Sequence, residues 1–423
     1  TTGDENVALG SAALDAEDTG IGSTAVGYGA LSTQNNDASN YNTAVGHNAA
    51  TALTEAIQST LIGAGAGEAV TTGSAATYIG YRAGNSATTV GTNTFVGYKS
   101  GEDSTDATFC TGVGYEALVQ LTTGTGNSAF GREALELCTT GDRNTAVGYQ
   151  ALQGSVIGDR SVGIGYGALK VQNPSTNADM YNVAIGYNAG VAVTTGINNI
   201  IMGGIAGDAI TTGSGNVGIG RSGLGACTEG ANNTTLGAYA GVAITTGDNN
   251  ICIGADAGRT GSPGGNITTG DNLLCLGDEN ITASHVQVDW TVASDQRDKT
   301  DFTQLDLGLD FVNDLNPVTY KWDKRSKYVS DNENVDLDTV EHDGTHKEDW
   351  LDIGFKAQEV EALEEASGYS ISNKTNLTTS LSEDGKQYGL QYSKFVPILV
   401  NAVQELSAQV DELKSEIKSL KEN

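Results

Sequence analysis

Proline is nearly missing: 4 residues in 423, which excludes a collagen-like fibre despite 57 glycines. Basic residues are scarce as well, with 22 Lys and Arg against 52 Asp and Glu and a formal net charge of −30. The deficit is spread along the chain, 8 basic against 25 acidic residues before Ser294 and 14 against 27 from there on. Such an even acidic surface argues against partners that are nucleic acid or an anionic membrane. It suits a soluble rod that must not bundle sideways. No apolar run reaches the ~20 residues of a membrane-spanning helix, so membrane insertion is not expected. The cysteines (Cys110, Cys138, Cys227, Cys252, Cys275) are odd in number and lack close paired spacing. A disulfide framework is therefore not expected, and folding in a reducing cytoplasm is the simpler view. The chain starts at Thr1 without Met or a signal-like segment, so an upstream attachment domain is expected to precede it.

What fills the first two thirds is repetition. A glycine preceded by an apolar residue recurs at Gly10, Gly27, Gly46, Gly63, Gly80, Gly97, Gly114, Gly131, Gly148, Gly165, Gly186, Gly203, Gly220, Gly237, Gly254 and Gly277. Twelve of the fifteen intervals are 17 residues, and the others are 19, 21 and 23. A fixed period of this length marks a solenoid. The residue before each glycine is apolar in all sixteen copies, mostly β-branched, and is expected to face the core. Asn stands four before the glycine ten times, which predicts a stacked amide ladder. Ala stands three after it thirteen times, and the next position is Leu or Gly, seven times each. Thr-Thr-Gly recurs seven times, always ending seven residues before the next marker glycine, and reads as a turn. Two short strands and two turns per 17 residues describe one coil of a parallel β-solenoid. Stacked at ~4.8 Å, the coils make a rod of roughly 75 Å. Each coil is thin, and its inward residues are chiefly Ala, Val and Ile, so side-by-side association of several chains is expected.

Tyr follows the marker glycine seven times (Tyr28, Tyr81, Tyr98, Tyr115, Tyr149, Tyr166, Tyr187), a vertical stripe on a solenoid. Two readings stand side by side: rings that stack on one another and stiffen the rod, or a receptor-contact face lying under sugar rings. The long repeats place insertions at 32–41, 170–181 and 259–272, expected to bulge off the rod without disturbing its pattern. No carboxylate pair stands out as a glycosidase site. Beyond residue 277 the repeat dies out. Ile281–Trp290 alternates like a strand and is expected to form a neck over 278–293. A regular heptad then runs from Val396 to Leu420, with Val396, Val403, Val410 and Ile417 at one seam position and Leu399, Leu406, Leu413 and Leu420 at the other.

Segments such as Asn182-Val-Ala-Ile-Gly-Tyr-Asn-Ala-Gly190 resemble the head repeats of trimeric autotransporter adhesins, which form trimeric β-rolls, although the period here is longer. The tail carries a second resemblance. Ser294-Asp-Gln-Arg-Asp-Lys299, Leu315-Asn-Pro-Val-Thr-Tyr-Lys-Trp322, Ile353-Gly-Phe-Lys-Ala-Gln-Glu-Val-Glu361 and Tyr392-Ser-Lys-Phe-Val-Pro-Ile-Leu-Val400 resemble, in order, the intramolecular chaperone auto-processing domain of phage tail fibres and tailspikes, the endosialidase-type self-cleaving module. The resemblance implies Ser294 as nucleophile, Lys299 as its base, and cleavage of the Ala293–Ser294 bond. It also implies three chains, whereas β-branched and Leu seam positions taken alone favour two. Asp298 departs from the apolar residue usual there, and an acid beside Lys299 favours its charged form.

The chemistry is coherent without the family. A serine needs a base, and a lysine can be one only when desolvation lowers its pKa from ~10.4 toward neutrality. A spacing of five fits neither one helix face nor one strand face, so the chain must bend between the two residues. His342 and His346 lie in an acidic loop over 331–349, read as solvated, with no metal or other cofactor expected.

The expected fold is mainly β: a trimeric parallel β-solenoid over 1–277, a β neck over 278–293, a small α+β chaperone domain over 294–395, and a trimeric coiled coil over 396–423. The expected function is a homotrimeric phage tail-fibre shaft or receptor-binding protein, assembled in the host cytoplasm and carried on the virion. Its expected partners are an upstream virion attachment protein and a host cell-surface glycan or protein receptor. The alternatives are a cell-surface trimeric adhesin or stalk, and a tailspike polysaccharide depolymerase.

Overall fold

A computed structural model of the chain describes residues 3–37, 39–89, 91–288, 290–329 and 337–422. Two compact units result, Thr1–Ala257 with Thr268–Leu276, and Gly258–Ile267 with Gly277–Asn423.

In the first unit, sixteen three-residue strands from Val7–Leu9 to Leu274–Leu276 form one parallel sheet, in which each strand pairs with the strand of the next coil. The 17-residue solenoid is therefore real. All three insertions leave the register intact: Thr24 pairs with Thr43, Val162 with Val183, and Ile251 with Leu274. They are not wholly external. Gln34 and Gln172, from the first two, are buried, and their amides bond Ser23 and Ser161 in coils where the column four before the glycine carries Ser rather than Asn.

Each coil has one strand in the sheet, where two were expected; a second strand pair forms only between Gly158–Asp159 and Ala178–Asp179, and the rest of the described coils is a run of turns. The backbone dictates this. Positions two and four after the marker glycine adopt left-handed φ in coil after coil, for example Lys99 (53°), Glu116 (54°), Leu118 (56°) and Leu135 (51°), and alternating left-handed residues cannot extend into a strand. The marker glycines themselves have φ from 116° to 143° in every coil but the last. A Cβ on Gly131 would lie 2.5 Å from the Gly148 carbonyl oxygen, so the column admits glycine alone.

The apolar residue before each glycine does not face the core. In every strand after the exposed first one the buried member is the central residue (Ala25, Ala44, Leu61, Tyr78, Phe95, Ala129, Ala146, Ile201), and its two neighbours point outward. Alternation along a strand makes a one-residue error in register reverse every side chain. Hydrophobicity pointed to the wrong column, because the core column is often only Ala or Gly.

That small core column explains the Leu-or-Gly choice four after the marker. Leu118, Leu135, Leu152 and Leu169 occupy coils whose strand centres are Gly112, Ala129, Ala146 and Gly163, whereas Gly67, Gly84, Gly101 and Gly207 accompany Leu61, Tyr78, Phe95 and Ile201. A Cβ on Gly84 or Gly101 would lie 2.6 Å from the Tyr78 or Phe95 ring of its own coil. One large group fills each coil, from one side or the other. Ala44 with Ala50 and Ala184 with Gly190 depart from the rule, and in the second case Leu169 of the preceding coil reaches to 3.2 Å of the Gly190 Cβ position.

The asparagine column bonds mainly to backbone rather than amide to amide. Asn144 Nδ2 donates to the Gly158 carbonyl at 2.7 Å, and its Oδ1 accepts from the Ser161 N–H at 2.9 Å. Each such residue thus satisfies two buried backbone groups that the turns leave unpaired. The first Thr of Thr-Thr-Gly adds a hydroxyl ladder, Thr122 to the Thr139 carbonyl at 3.0 Å and Thr211 to Thr228 at 3.1 Å. All five cysteines are buried thiols; burial pushes Cys138 and Cys252 up to about 12 and Cys227 to about 11, leaving these three inert.

The second unit is α+β. Helices α1 (Leu309–Asp314), α2 (Ala357–Ala366) and α3 (Phe395–Glu422) enclose a core of Leu307, Phe311, Val360, Phe395 and Ile398. Val318–Tyr320 pairs antiparallel with Asp352–Gly354, and Thr379–Leu381 with Tyr388–Leu390. Gly308 gives α1 no side-chain cap; Glu405 of α3 takes that role, its carboxylate accepting the Leu309 N–H at 2.7 Å. Buried Glu364 ties α2 to the second hairpin through the Thr378 N–H and both Thr378 and Thr379 hydroxyls. Helix α3 opens at Phe395, and its first turns belong to the unit's interior through Phe395, Ile398 and Ala402 on one face.

The expected neck strand is absent: the described residues of 278–293 form no strand, and Val286, Val288, Trp290 and Val292 are all exposed. An alternating segment becomes a strand only when another strand satisfies its backbone. Part of the expected acidic loop, 331–336, lies outside the described residues.

Candidate active site

One turn of 3-10 helix, Gln296–Asp298, separates Ser294 from Lys299. Asp295 starts it: Oδ1 accepts the Arg297 backbone N–H at 2.9 Å and Arg297 Nε at 3.1 Å, while Oδ2 accepts Arg297 Nη2 at 2.6 Å. The Lys299 N–H closes the turn on the Gln296 carbonyl at 3.2 Å. Asp295 and Lys299 are both extended, so this single turn folds the chain back on itself. Lys299 Nζ consequently donates to Ser294 Oγ at 2.6 Å. A five-residue spacing that no regular helix or strand brings together is met by one tight turn between two extended residues.

Sequence reading named Ser294 and Lys299 but gave Asp295 and Arg297 no role. They form the clamp that holds the turn, and their signal was a carboxylate and a guanidinium two residues apart at a helix start. The hydrogen bonds from Arg297 hold the Asp295 carboxyl below its ordinary range, and Asp295 raises Arg297 in turn. The sign is clear: the clamp is complete above the usual Asp pKa of ~3.9 and breaks only as falling pH protonates Asp295 at a lower value. Asp298 does not engage the lysine; among the described residues the one hydrogen bond of the Lys299 ammonium is to Ser294. Ala293, Ser294 and Lys299 are exposed in the single chain.

Arg297→Gln removes the two-point clamp and leaves Ser294 and Lys299 in place. Self-cleavage is expected to slow roughly tenfold to a hundredfold, read by intact mass over time, with an unchanged melting temperature. Arg297→Lys is expected to recover only part of the rate, because an ammonium cannot make the two-point contact.

The seven tyrosines are exposed on the first unit. Tyr81, Tyr98 and Tyr115 stack at 5.4 and 5.0 Å, and Tyr166 and Tyr187 at 5.2 Å. Tyr149 meets Tyr166 edge to face, and Tyr28 stacks on His47. Arg132 sits between Tyr115 and Tyr149, 5.2 Å from the first ring and 5.4 Å from the second, and makes the column continuous from Tyr81 to Tyr187, whereas Ala64 interrupts it between His47 and Tyr81. Neighbours therefore occupy ring faces, and what the column presents outward is edges and hydroxyls.

Among the described residues no cluster of three His, Cys, Asp or Glu is arranged to hold a metal ion. His346 lies edge-on against Tyr328, and His342 lies 3.5 Å from Asp323. In the second unit an apolar groove of about 570 Å³ is lined by Pro317, Val318, Thr319, Ile353, Gly354, Phe355 and Tyr392. Three of the four tail segments quoted above meet there.

A regular β-solenoid carrying a small α+β module with a Ser–Lys pair at its first residues is the architecture of tail-fibre-like proteins with an endosialidase-type chaperone. Residues 294–369 match the peptidase family described as chaperone of endosialidase, and the match opens on Ser294. No curated protein and no solved structure is significantly similar to the chain.

Proposed function

We propose that the chain is the shaft of a homotrimeric phage tail fibre whose C-terminal module aligns three copies and then cuts itself away before Ser294. The observation that carries the proposal is the 2.6 Å Lys299–Ser294 contact at the start of the chaperone match. With Lys299 neutral, Ser294 Oγ–H donates across the same separation. Nζ takes the proton as Oγ attacks the Ala293 carbonyl carbon. The C–N bond breaks, the proton passes to the departing nitrogen, and an Ala293 ester on Ser294 Oγ results. Water then hydrolyses that ester, freeing the Ala293 carboxylate and the Ser294 amine.

Desolvation on trimer formation supplies the condition that an exposed lysine lacks, so cutting follows assembly. The heptad seam supports assembly: Val396, Leu399, Val403, Leu406, Val410, Leu413, Ile417 and Leu420 are all exposed on α3, on a face beside the one that packs inward. The neck residues Val286, Val288, Trp290 and Val292 gain strand partners in the same event. In this reading the shaft is carried on the virion through an upstream attachment protein, and the outward edges of the tyrosine column meet a host glycan or protein receptor.

Native mass spectrometry of freshly expressed chain tests the reading. Three shafts ending at Ala293, with separated tails beginning at Ser294, are expected. A single-chain particle of full length overturns it.

A further inference from the structure

The outward positions of the solenoid strands form a face that nothing in the single chain covers. The residue before each marker glycine is apolar in all sixteen coils, from Leu9 and Val26 to Ile253 and Leu276, and none of the sixteen is buried. The residue two earlier, also outward, is Thr, Ser, Val, Ile or Leu in every coil, and again none is buried. These thirty-two positions hold no charge, in a chain where 17 % of residues are charged. Charged residues lie beside the stripe instead, at Glu5, Arg143 and Arg160 on one flank and Arg132, Arg221, Arg82 and Lys99 on the other. A solvated face of an acidic rod has no reason to exclude charge for sixteen coils. A face destined for burial does.

We propose that this stripe is the surface along which the shafts of three copies of this chain meet, each turning its stripe toward a common axis. The inference rests on the trimer reading above and assigns the shaft's part in it. A stripe roughly 75 Å long and about 10 Å wide offers roughly 750 Å² per copy, the size of one side of a standard stable interface. The occupant is a second copy because the pattern is strictly periodic: only a partner with the same rise per coil keeps apolar groups opposed along the whole length. The composition is also graded. Both columns are aliphatic in nearly every coil from Val162 to Leu276, whereas Thr or Ser alternates with the apolar column from Thr24 to Thr145. The stickier half is the one nearer in sequence to the exposed heptad seam. Three shafts brought into step at the tail thus zip toward their N-termini.

Cysteine placement tests the face directly, because all five native thiols are buried. Ile253→Cys puts a thiol on the stripe, and Thr212→Cys puts one on the exposed Thr-Thr turn away from it. Native mass is measured first on the full chain, then a short bis-maleimide is added. In particles of three chains, Ile253→Cys is expected to link into dimers approaching two thirds of the chains, the third thiol having no mate, while Thr212→Cys stays unlinked. Val147→Cys repeats the test nearer the N-terminus. Three-chain particles in which both stripe thiols react singly, or in which Thr212→Cys links instead, overturn the stripe and leave the trimer standing. Single-chain particles overturn both.

Discussion

Ser294→Ala leaves the chain at full length, whereas the parent yields a fragment ending at Ala293. The expected loss is the whole enzymatic rate, about 10⁶-fold if the serine behaves as nucleophiles do in other serine peptidases. The substitution removes one exposed hydroxyl, so the variant folds and assembles as the parent does. Lys299→Arg sharpens the result. A guanidinium can still donate to Ser294 Oγ but stays protonated at any pH the protein tolerates, so it holds the geometry without the base function. Lys299→Arg is expected to be as silent as Ser294→Ala. Full cleavage by it would show the lysine to be a positioning residue, and a parent fragment beginning anywhere but Ser294 would move the site.

Gly101→Leu alone is expected to unfold the coils around it, and Phe95→Ala alone to cost about 3–5 kcal/mol. The first drives a side chain into the Phe95 ring, which lies 2.6 Å from where its Cβ would sit; the second empties a fully buried site. Combined, Phe95→Ala with Gly101→Leu recreates the Ala129 and Leu135 arrangement found two strands further along the same sheet, whose left-handed Leu has φ of 51°. Most of the stability is expected to return, with a melting temperature closer to the parent than to either single variant. Additive losses would show that the two columns do not share one space.

The repeat, its period and its parallel stacking were legible in the glycine spacing, because a solenoid writes its geometry into every coil. The inward face was not. Two apolar-rich columns competed for it, and the one with a large apolar residue, mostly Val or Ile, in all copies proved to be the outward one, while Ala25, Gly112 and Ala146 line the interior. Composition favours the larger hydrophobe, but a coil this thin has room at its strand centre for a large side chain only where the turn carries glycine. The coupling of strand centre to the residue four past the glycine was present as letters, and became readable once their contact was known. At the site, the serine and lysine came from a resemblance. The turn that joins them, and the Asp295–Arg297 clamp that holds the turn, needed coordinates. Ile281–Trp290 shows the reverse case, a strand pattern to which the described residues of the chain supply no partner strand.

The central claim is that the module cuts because it has assembled. Its most direct test is the rate of appearance of the Ala293-ending fragment during refolding, followed across a range of chain concentrations, beside a seam variant carrying Leu406→Asp and Leu413→Asp. The expected result is a rate that rises steeply with concentration for the parent, and an uncut, monomeric seam variant at every concentration. A fragment released at one fixed rate at all dilutions, or at the parent rate by the monomeric variant, would contradict the account.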